Sequence, residues 1–296
     1  MYGNDDLSLL SDALELPWLW AGLAAYAAAM LASILTVMPR PVGNVTGITK
    51  ASTYAPRLEK MVLVFLLLGV ALLSIAIAQR WVRLGHGPFV SMFELMMSQL
   101  WSLGLFFAVV YWRSPKLRSI AVVVLVLMWV LGSWILILEP KPGFYPQTYY
   151  NDWKWVHVGL GKIFLAALMV ATGLAGVILS RRIPALASLF RMAPSDEVLD
   201  RIALRFMMLA LIFDSFMLIA GAVWAQDAWG RYWAWDALET SSFLNWLAIG
   251  LFIHLRLAYR IPIWVSSLVI AGLFAFAFIT YFGTPYLSQA IHKGVV

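Results

Sequence analysis

Eight apolar runs, each long enough to cross a lipid bilayer as a helix, dominate this sequence. The hydrocarbon core of a bilayer is about 30 Å thick, so a spanning helix needs about 20 mainly apolar residues. Only 12% of the 296 residues are charged, whereas soluble domains carry about twice that share. The sequence therefore predicts one all-α polytopic membrane domain over residues 1–296. The predicted spans lie near 17–38, 60–79, 95–112, 119–138, 157–180, 202–224, 241–258 and 262–282.

The lysines and arginines set an expected orientation in the membrane. With the amino terminus outside, the inner connections carry fourteen of these residues and the outer connections six. Because inner loops are the basic ones in membrane proteins, both termini are expected outside. The basic residues lie in short connections rather than on one face, which argues against nucleic-acid binding. The acidic start, Met1 to Glu15, lacks the basic region of a cleaved signal peptide.

Three segments expected on the outer side, 139–156, 225–240 and 283–296, have unusual compositions. From Trp224 to Thr240 the chain reads WAQDAWGRYWAWDALET, with four tryptophans within twelve residues. An interfacial aromatic belt accounts for one or two indoles at a helix end, but not for this run. Rigid indole faces suit a large, flat, apolar ligand held at the membrane surface.

The other residues of the tryptophan-rich segment predict how it is held. Gly230 permits a turn or a close backbone approach. Asp236 and Glu239 are expected to cap the next helix, or to accept hydrogen bonds from indole and backbone donors.

The pattern Trp-Gly-x-x-Trp-x-Trp-Asp at residues 229–236 resembles the signature of the haem-handling proteins of cytochrome c maturation. The stretch 221–256 resembles the CcsA/ResC family (system II) in particular. Upstream, residues 85–94, GHGPFVSMFE, resemble that family's Gly-His-x-Pro…Tyr-Glu segment. The chain departs from the pattern at Ala237-Leu238, where the family usually has Pro-Lys, and at Phe93, where it usually has Tyr.

The resemblance implies a haem-handling subunit of a cytochrome c synthetase, or haem lyase. Such a subunit moves haem b across the membrane and presents it to apocytochrome c for thioether attachment. The implied location is the bacterial cytoplasmic membrane or an equivalent energy-transducing membrane. The implied partners are a CcsB/ResB-like membrane protein, apocytochrome c and a thiol-reducing, thioredoxin-like protein. The chain has no cysteine, so the thiols come from other proteins.

Two other functions are compatible with the sequence. One is a haem transporter or chaperone of the CcmC type, without ligase activity. The other, of a different class, is a quinone- or lipid-binding membrane scaffold with a tryptophan-rich pocket and no metal.

Histidine is a suitable axial ligand of haem iron, and the chain has four: His86, His157, His254 and His292. His157 and His292 are expected on the same side as the tryptophan-rich segment, and they match in order the two external histidines that flank it in the family. We therefore predict that these two ligate an outer haem iron. No catalytic group is predicted beyond the residues that position the haem. The residues predicted around it are Trp224, Trp229, Gly230, Tyr232, Trp233, Trp235, Asp236 and Glu239.

His254 belongs to a separate, inner site in this hypothesis. It lies on the order of 20 Å from Thr240 along a helix that rises 1.5 Å per residue. It matches the family's transmembrane histidine, and its second axial partner is expected from another chain. The simpler alternatives are an interfacial histidine at 157, a tail residue at 292 and a snorkelling side chain at 254.

Three further ionisable residues are assigned to neither of the two haem sites. His86 is expected to have a structural or accessory role. Glu94 is expected to stabilise the third span through an ion pair or hydrogen bonds. Asp214 lies inside the sixth span, where an unpaired carboxylate is costly, and no catalytic role is predicted for it.

Overall fold

A computed structural model describes residues 13–38, 55–87 and 89–287, and this part of the chain is helical, without strands. Eight long helices are present in the described residues. Together with the short helical turns that extend two of them, these helices confirm the eight predicted spans. We number them α1 Leu16–Val37, α2 Ala55–Leu84, α3 Met92–Arg113, α4 Ala121–Ile135, α5 Asp152–Ser180, α6 Asp196–Trp229, α7 Ala237–Ala258 and α8 Ile263–Phe278. A 3₁₀ turn, Pro115–Ile120, precedes α4, and a π-helical turn, Ile279–Gly283, follows α8.

Several helices extend beyond the apolar runs that predicted them. The run at 202–224 belongs to α6, which continues to Trp229, so the first part of the predicted loop 225–240 is helical. The run at 157–180 belongs to α5, which begins at Asp152 with Asn151 as its cap. An apolar run marks only the part of a helix that lies in the hydrocarbon layer. The helical hydrogen bonds continue through the interfacial layers until a capping residue ends the helix.

The third span contains polar residues because α3 lies inside the bundle. Glu94 and Gln99 are buried against protein. Ser91 caps the helix: its hydroxyl accepts from the Glu94 amide at 3.3 Å, and the Glu94 carboxylate accepts from the Ser91 amide at 3.4 Å. The predicted stabilising role of Glu94 is thereby confirmed.

Helix α5 lies at the centre of the bundle and packs most extensively against α6. Small residues on α5 permit close approach; a Cβ at Gly173 would lie 2.5 Å from a methyl group of Val124 on α4. Successive spans alternate in direction, so residues 139–151 and 230–236 meet at one end of the bundle. We call this the site end. His292 and residues 288–296 of the predicted tail lie outside the described residues.

Candidate functional site

His157 lies near the start of α5 and faces α6. Its Nδ1 is 2.8 Å from the carbonyl oxygen of Met217, and its ring centroid is 5.9 Å from that of Trp224. A carbonyl oxygen accepts only from a protonated ring nitrogen, so this contact favours the tautomer with the proton on Nδ1 and the lone pair on Nε2. Histidines that ligate metals are commonly held in this way.

Gly221 on α6 makes this contact sterically possible. A Cβ at this position would lie 2.7 Å from Nδ1 of His157 and 2.9 Å from its Cε1. Such distances are far shorter than carbon contacts allow. A side chain at residue 221 would therefore displace the imidazole.

Trp224 and Trp229 lie on the last turns of α6, and Trp224 lies next to His157. The buried Trp224 indole donates from Nε1 to the carbonyl oxygen of Thr148 at 2.9 Å. Its ring contacts Tyr149 at 5.5 Å and Trp229 at 5.4 Å between centroids. Burial, with a smaller contribution from Tyr145, raises the pKa of Tyr149. The connection before α5 is thus fastened to the end of α6.

The turn between α6 and α7 adopts two left-handed backbone positions. Gly230 ends α6 with φ +71°, as its residue type predicted, and Trp235 has φ +58°, which is rare for a non-glycine residue. Asp236 caps α7 by accepting from the Glu239 amide at 2.8 Å, and Glu239 accepts from the Ala234 amide at 2.6 Å. The predicted capping role of Asp236 and the predicted role of Glu239 as an acceptor of backbone hydrogen bonds are confirmed.

The other two tryptophans form a separate group over α7. Trp233 and Trp235 pack edge to face, 5.9 Å apart, and both contact Phe243. Trp235 is 69% exposed, and Tyr232 is exposed beside it. The Trp233 indole nitrogen is buried without a hydrogen-bond partner among the described residues. The four tryptophans therefore flank the site in two pairs rather than forming one stack.

Two adjoining cavities meet at His157. The larger, about 160 Å³, reaches towards α3 and α8, and the smaller, about 100 Å³, lies beneath the turn 230–236. Of the predicted haem-contacting residues, the structure brings five to these walls: His157, Trp224, Tyr232, Trp233 and Glu239. It does not bring Trp229, Gly230, Trp235 or Asp236 to them.

The chemistry of this wall fits a haem, but the enclosed volume is small. An imidazole with a favoured Nε2 lone pair, apolar ring faces and an orphaned indole donor are suitable contacts for a porphyrin. Pockets for ligands of drug size usually measure roughly 300–1,000 Å³. Each cavity is smaller than this range, so a bound porphyrin would have to extend across both.

Two lysines of α5 line the larger cavity, and neither was predicted to belong to a site. Lys154 is 1% exposed; its ammonium donates to the Tyr145 hydroxyl at 2.7 Å. The Lys162 ammonium donates to the Ser98 hydroxyl at 3.0 Å. The signal that could have found them is a lysine within or beside an apolar run, because cations are costly at membrane depth.

The remaining histidines in the described part of the chain lie apart from this cavity. His86 stacks on Tyr145 with 4.9 Å between centroids, beside a separate open cavity of about 370 Å³. His254 lies near the other end of α7, with an exposed side chain. Two residues later, Arg256 forms an ion pair with Asp200 of α6.

A buried ionic cluster holds the site end together. Arg80, 1% exposed, donates to Glu15 and Glu94, each at 2.9 Å. It also donates to the carbonyl oxygens of Pro140 at 3.0 Å and Lys141 at 3.1 Å. Burial acts to raise the pKa of Glu15, but hydrogen bonds from Arg83 and Arg80 outweigh it and hold this pKa below its ordinary value. Arg80 thereby joins α1, α2 and α3 to the connection before α5.

Residues 89–292 match the family described as cytochrome C assembly protein, which is more than half of the chain. The chain belongs to this family. It is 26% identical over 288 residues to the cytochrome c biogenesis protein CcsA of Prochlorococcus marinus (strain MIT 9301), covering 88% of this chain and 90% of that protein. It is 25% identical over 320 residues to CcsA of Synechococcus sp. (strain RCC307), covering 96% and 97%. The resemblance inferred from the tryptophan motif is confirmed.

A solved structure confirms the fold. The cytochrome c haem lyase CcmF aligns with a TM-score of 0.60 at 16% identity, over 90% of this chain. This chain spans 46% of the length of CcmF. Family membership and the eight helices support a role in cytochrome c maturation for an integral membrane protein.

Proposed function

We propose that the protein is the haem-handling subunit of a cytochrome c synthetase, which moves haem b across the membrane and presents it to apocytochrome c. The single observation that carries the proposal is His157, oriented by the Met217 carbonyl beside Trp224 at the junction of two cavities. The site end would face the outer side of an energy-transducing membrane, in agreement with the basic residues that predominate at the other end.

His157 and His292 would both ligate the haem iron. Tyr281 and Phe282 line the cavity that contains His157, so the chain after α8 approaches this cavity. The last described residue, Leu287, is five residues before His292, and five extended residues reach at most about 17 Å. The proposal therefore requires Leu287 to lie within about 17 Å of the iron.

The part played by the chain's own residues in this proposal is positioning. The two imidazoles would hold the iron, and the indoles at the cavity walls, Trp224 and Trp233, would limit rotation of the ring and exclude water. Haem so held would offer its vinyl groups to the thiols of an apocytochrome, for which correct placement supplies much of the rate. Groups that contact the ring would also tune its redox state, since thioether formation is expected to require ferrous haem.

His254 would serve a second, inner haem iron. Its exposed position on α7 suits a ligand shared with another chain, because a partner's side chain can approach it from outside the bundle. We assign the second ligand to a CcsB/ResB-like membrane partner. A thioredoxin-like protein would keep the apocytochrome thiols reduced.

Reconstitution tests the proposal. The protein is produced with its CcsB/ResB-like partner and an apocytochrome c in membranes that lack other haem lyases, and covalent haem is scored on the denatured cytochrome. Covalent attachment is the expected result. A purified protein with a Soret band but no attachment would instead indicate a CcmC-type transporter. A protein without a Soret band would favour the quinone- or lipid-binding scaffold and contradict haem binding.

Gly221→Ala tests whether the observed position of the His157 ring is needed for haem binding. The added methyl group overlaps the His157 ring, so we expect the affinity for haem to fall roughly ten- to a hundredfold, as when the support of a metal ligand is disturbed. Haem affinity is measured by Soret titration of the purified protein. Gly159→Ala is the matched control on α5, because a Cβ there meets nothing within 4 Å. Equal affinities in the two variants would contradict the assignment of His157.

A further inference from the structure

Lys154, His157 and Lys162 lie along one side of α5. Each lines the larger cavity, together with Val158, Gly161 and Leu165. Spacings of three and four residues place side chains on the same helix face. At 1.5 Å per residue, the two lysines start about 12 Å apart along the axis, with His157 between them. A ligand bound to the imidazole would therefore have an ammonium group on either side of it.

Neither lysine has a carboxylate partner among the described residues. All ion pairs within residues 13–38, 55–87 and 89–287 involve other side chains. The described wall of the larger cavity contains no aspartate or glutamate. The hydrogen bonds of the two ammonium groups go to the neutral hydroxyls of Tyr145 and Ser98. Ionisable residues at such positions indicate a functional site, with a partner of opposite charge.

Aromatic rings compensate for part of the burial of Lys154. Its ammonium lies 4.7 Å from the Tyr145 ring centroid, 5.0 Å from that of Tyr149 and 4.8 Å from that of Trp155. Lys162 contacts a single ring, that of Phe89, at 5.3 Å. Ring contacts stabilise a cation but supply no counter-charge. The cavity therefore favours an occupant that is flat, apolar and anionic at two points.

We propose that Lys154 and Lys162 bind the two carboxylates of the porphyrin whose iron His157 ligates. This inference rests on the proposed function and extends it to the orientation of the ligand. The propionate and vinyl groups of haem occupy opposite edges of the ring. Ion pairs to α5 would hold the propionate edge inside the bundle and turn the vinyl edge away from α5. The lysines would thus determine which edge is offered to the thiols.

The test compares two probes, ferric protoporphyrin IX and its dimethyl ester, in which methyl groups on the two carboxylates remove their charges. Purified full-length protein in lipid nanodiscs is titrated with each, and binding is followed at the Soret band. We expect the wild type to bind the free acid roughly ten- to a hundredfold more tightly than the ester, since each ion pair is formed in a desolvated site.

Variants assign this preference to the lysines. The double variant Lys154→Met and Lys162→Met is expected to bind both probes equally, whereas the double variant Lys154→Arg and Lys162→Arg retains the preference. Lys116→Met, at the other end of the bundle, is the control and also retains it. His157→Ala is expected to lower the affinity for both probes by the same factor, so the ratio of the two affinities stays unchanged.

Failure of the inference is distinguishable from failure of the proposed function. If the wild type binds both probes with equal affinity, the lysine assignment is wrong but haem binding stands. This comparison uses only the wild-type protein, so it does not depend on the folding of a variant. A methionine double variant that folds and keeps the wild-type ratio also overturns it. If the wild type binds neither probe, the proposed haem function and the inference both fail.

Discussion

Replacing His157 with glycine is expected to lower the affinity for haem by about a hundredfold or more. Changes around a metal ligand already cost roughly 10–100-fold, and this change removes the ligand itself. Because the glycine leaves a space with the shape of the lost imidazole ring beside Met217, added imidazole is expected to restore much of the Soret absorbance. The measurement is a haem titration with and without imidazole, followed by covalent attachment in the reconstituted system.

His86→Ala provides the control for His157→Gly. His86 also lies at the site end, but its ring stacks on Tyr145 rather than lining the cavities at His157. We expect this variant to retain haem at close to the wild-type level. Equal losses in the two variants, or a His157→Gly protein that binds haem normally, would exclude His157 as an axial ligand.

Arg80→Met is expected to lower the free energy of unfolding by about 3–5 kcal/mol, the usual cost of removing one partner from a buried ion pair. The substitution leaves the Glu15 and Glu94 carboxylates, both fully buried, without their shared guanidinium. It also releases the Pro140 and Lys141 carbonyl groups. The connection that carries Thr148, the acceptor of the Trp224 indole, would then lose its anchor, and haem binding should weaken as well.

Denaturant-induced unfolding in a lipid–detergent mixture, monitored by tryptophan fluorescence, measures this effect. Arg113→Met is the control, because this arginine takes part in none of the ion pairs of the described residues. The double variant Arg80→Met and Glu94→Gln is expected to be more stable than Arg80→Met, since Glu15 keeps its ion pair with Arg83 and Glu94 no longer carries an unpaired buried charge. An Arg80→Met protein with the stability of Arg113→Met would contradict this role for the cluster.

The sequence predicted most accurately those features that depend on neighbouring residues. Lipid imposes a simple requirement on composition, so the eight spans were evident from runs of about 20 apolar residues. Helix caps are also local, and the capping role of Asp236 followed from its position directly before α7. The position of Arg80 could not be predicted in this way. A basic residue at the end of an apolar run is expected in an outer connection, whereas Arg80 lies buried near the end of α2.

By itself the sequence determined an all-helical membrane protein of eight spans and, through the tryptophan motif, the family of the chain. Only the tertiary structure brought His157 to the Met217 carbonyl, 60 residues away, and Trp224 to Thr148, 76 residues away. It also divided the tryptophans into two pairs and placed Lys154 and Lys162 in the wall of the cavity at His157. Hydropathy and motif spacing describe the surroundings of one segment, whereas these contacts depend on how separate helices pack against one another.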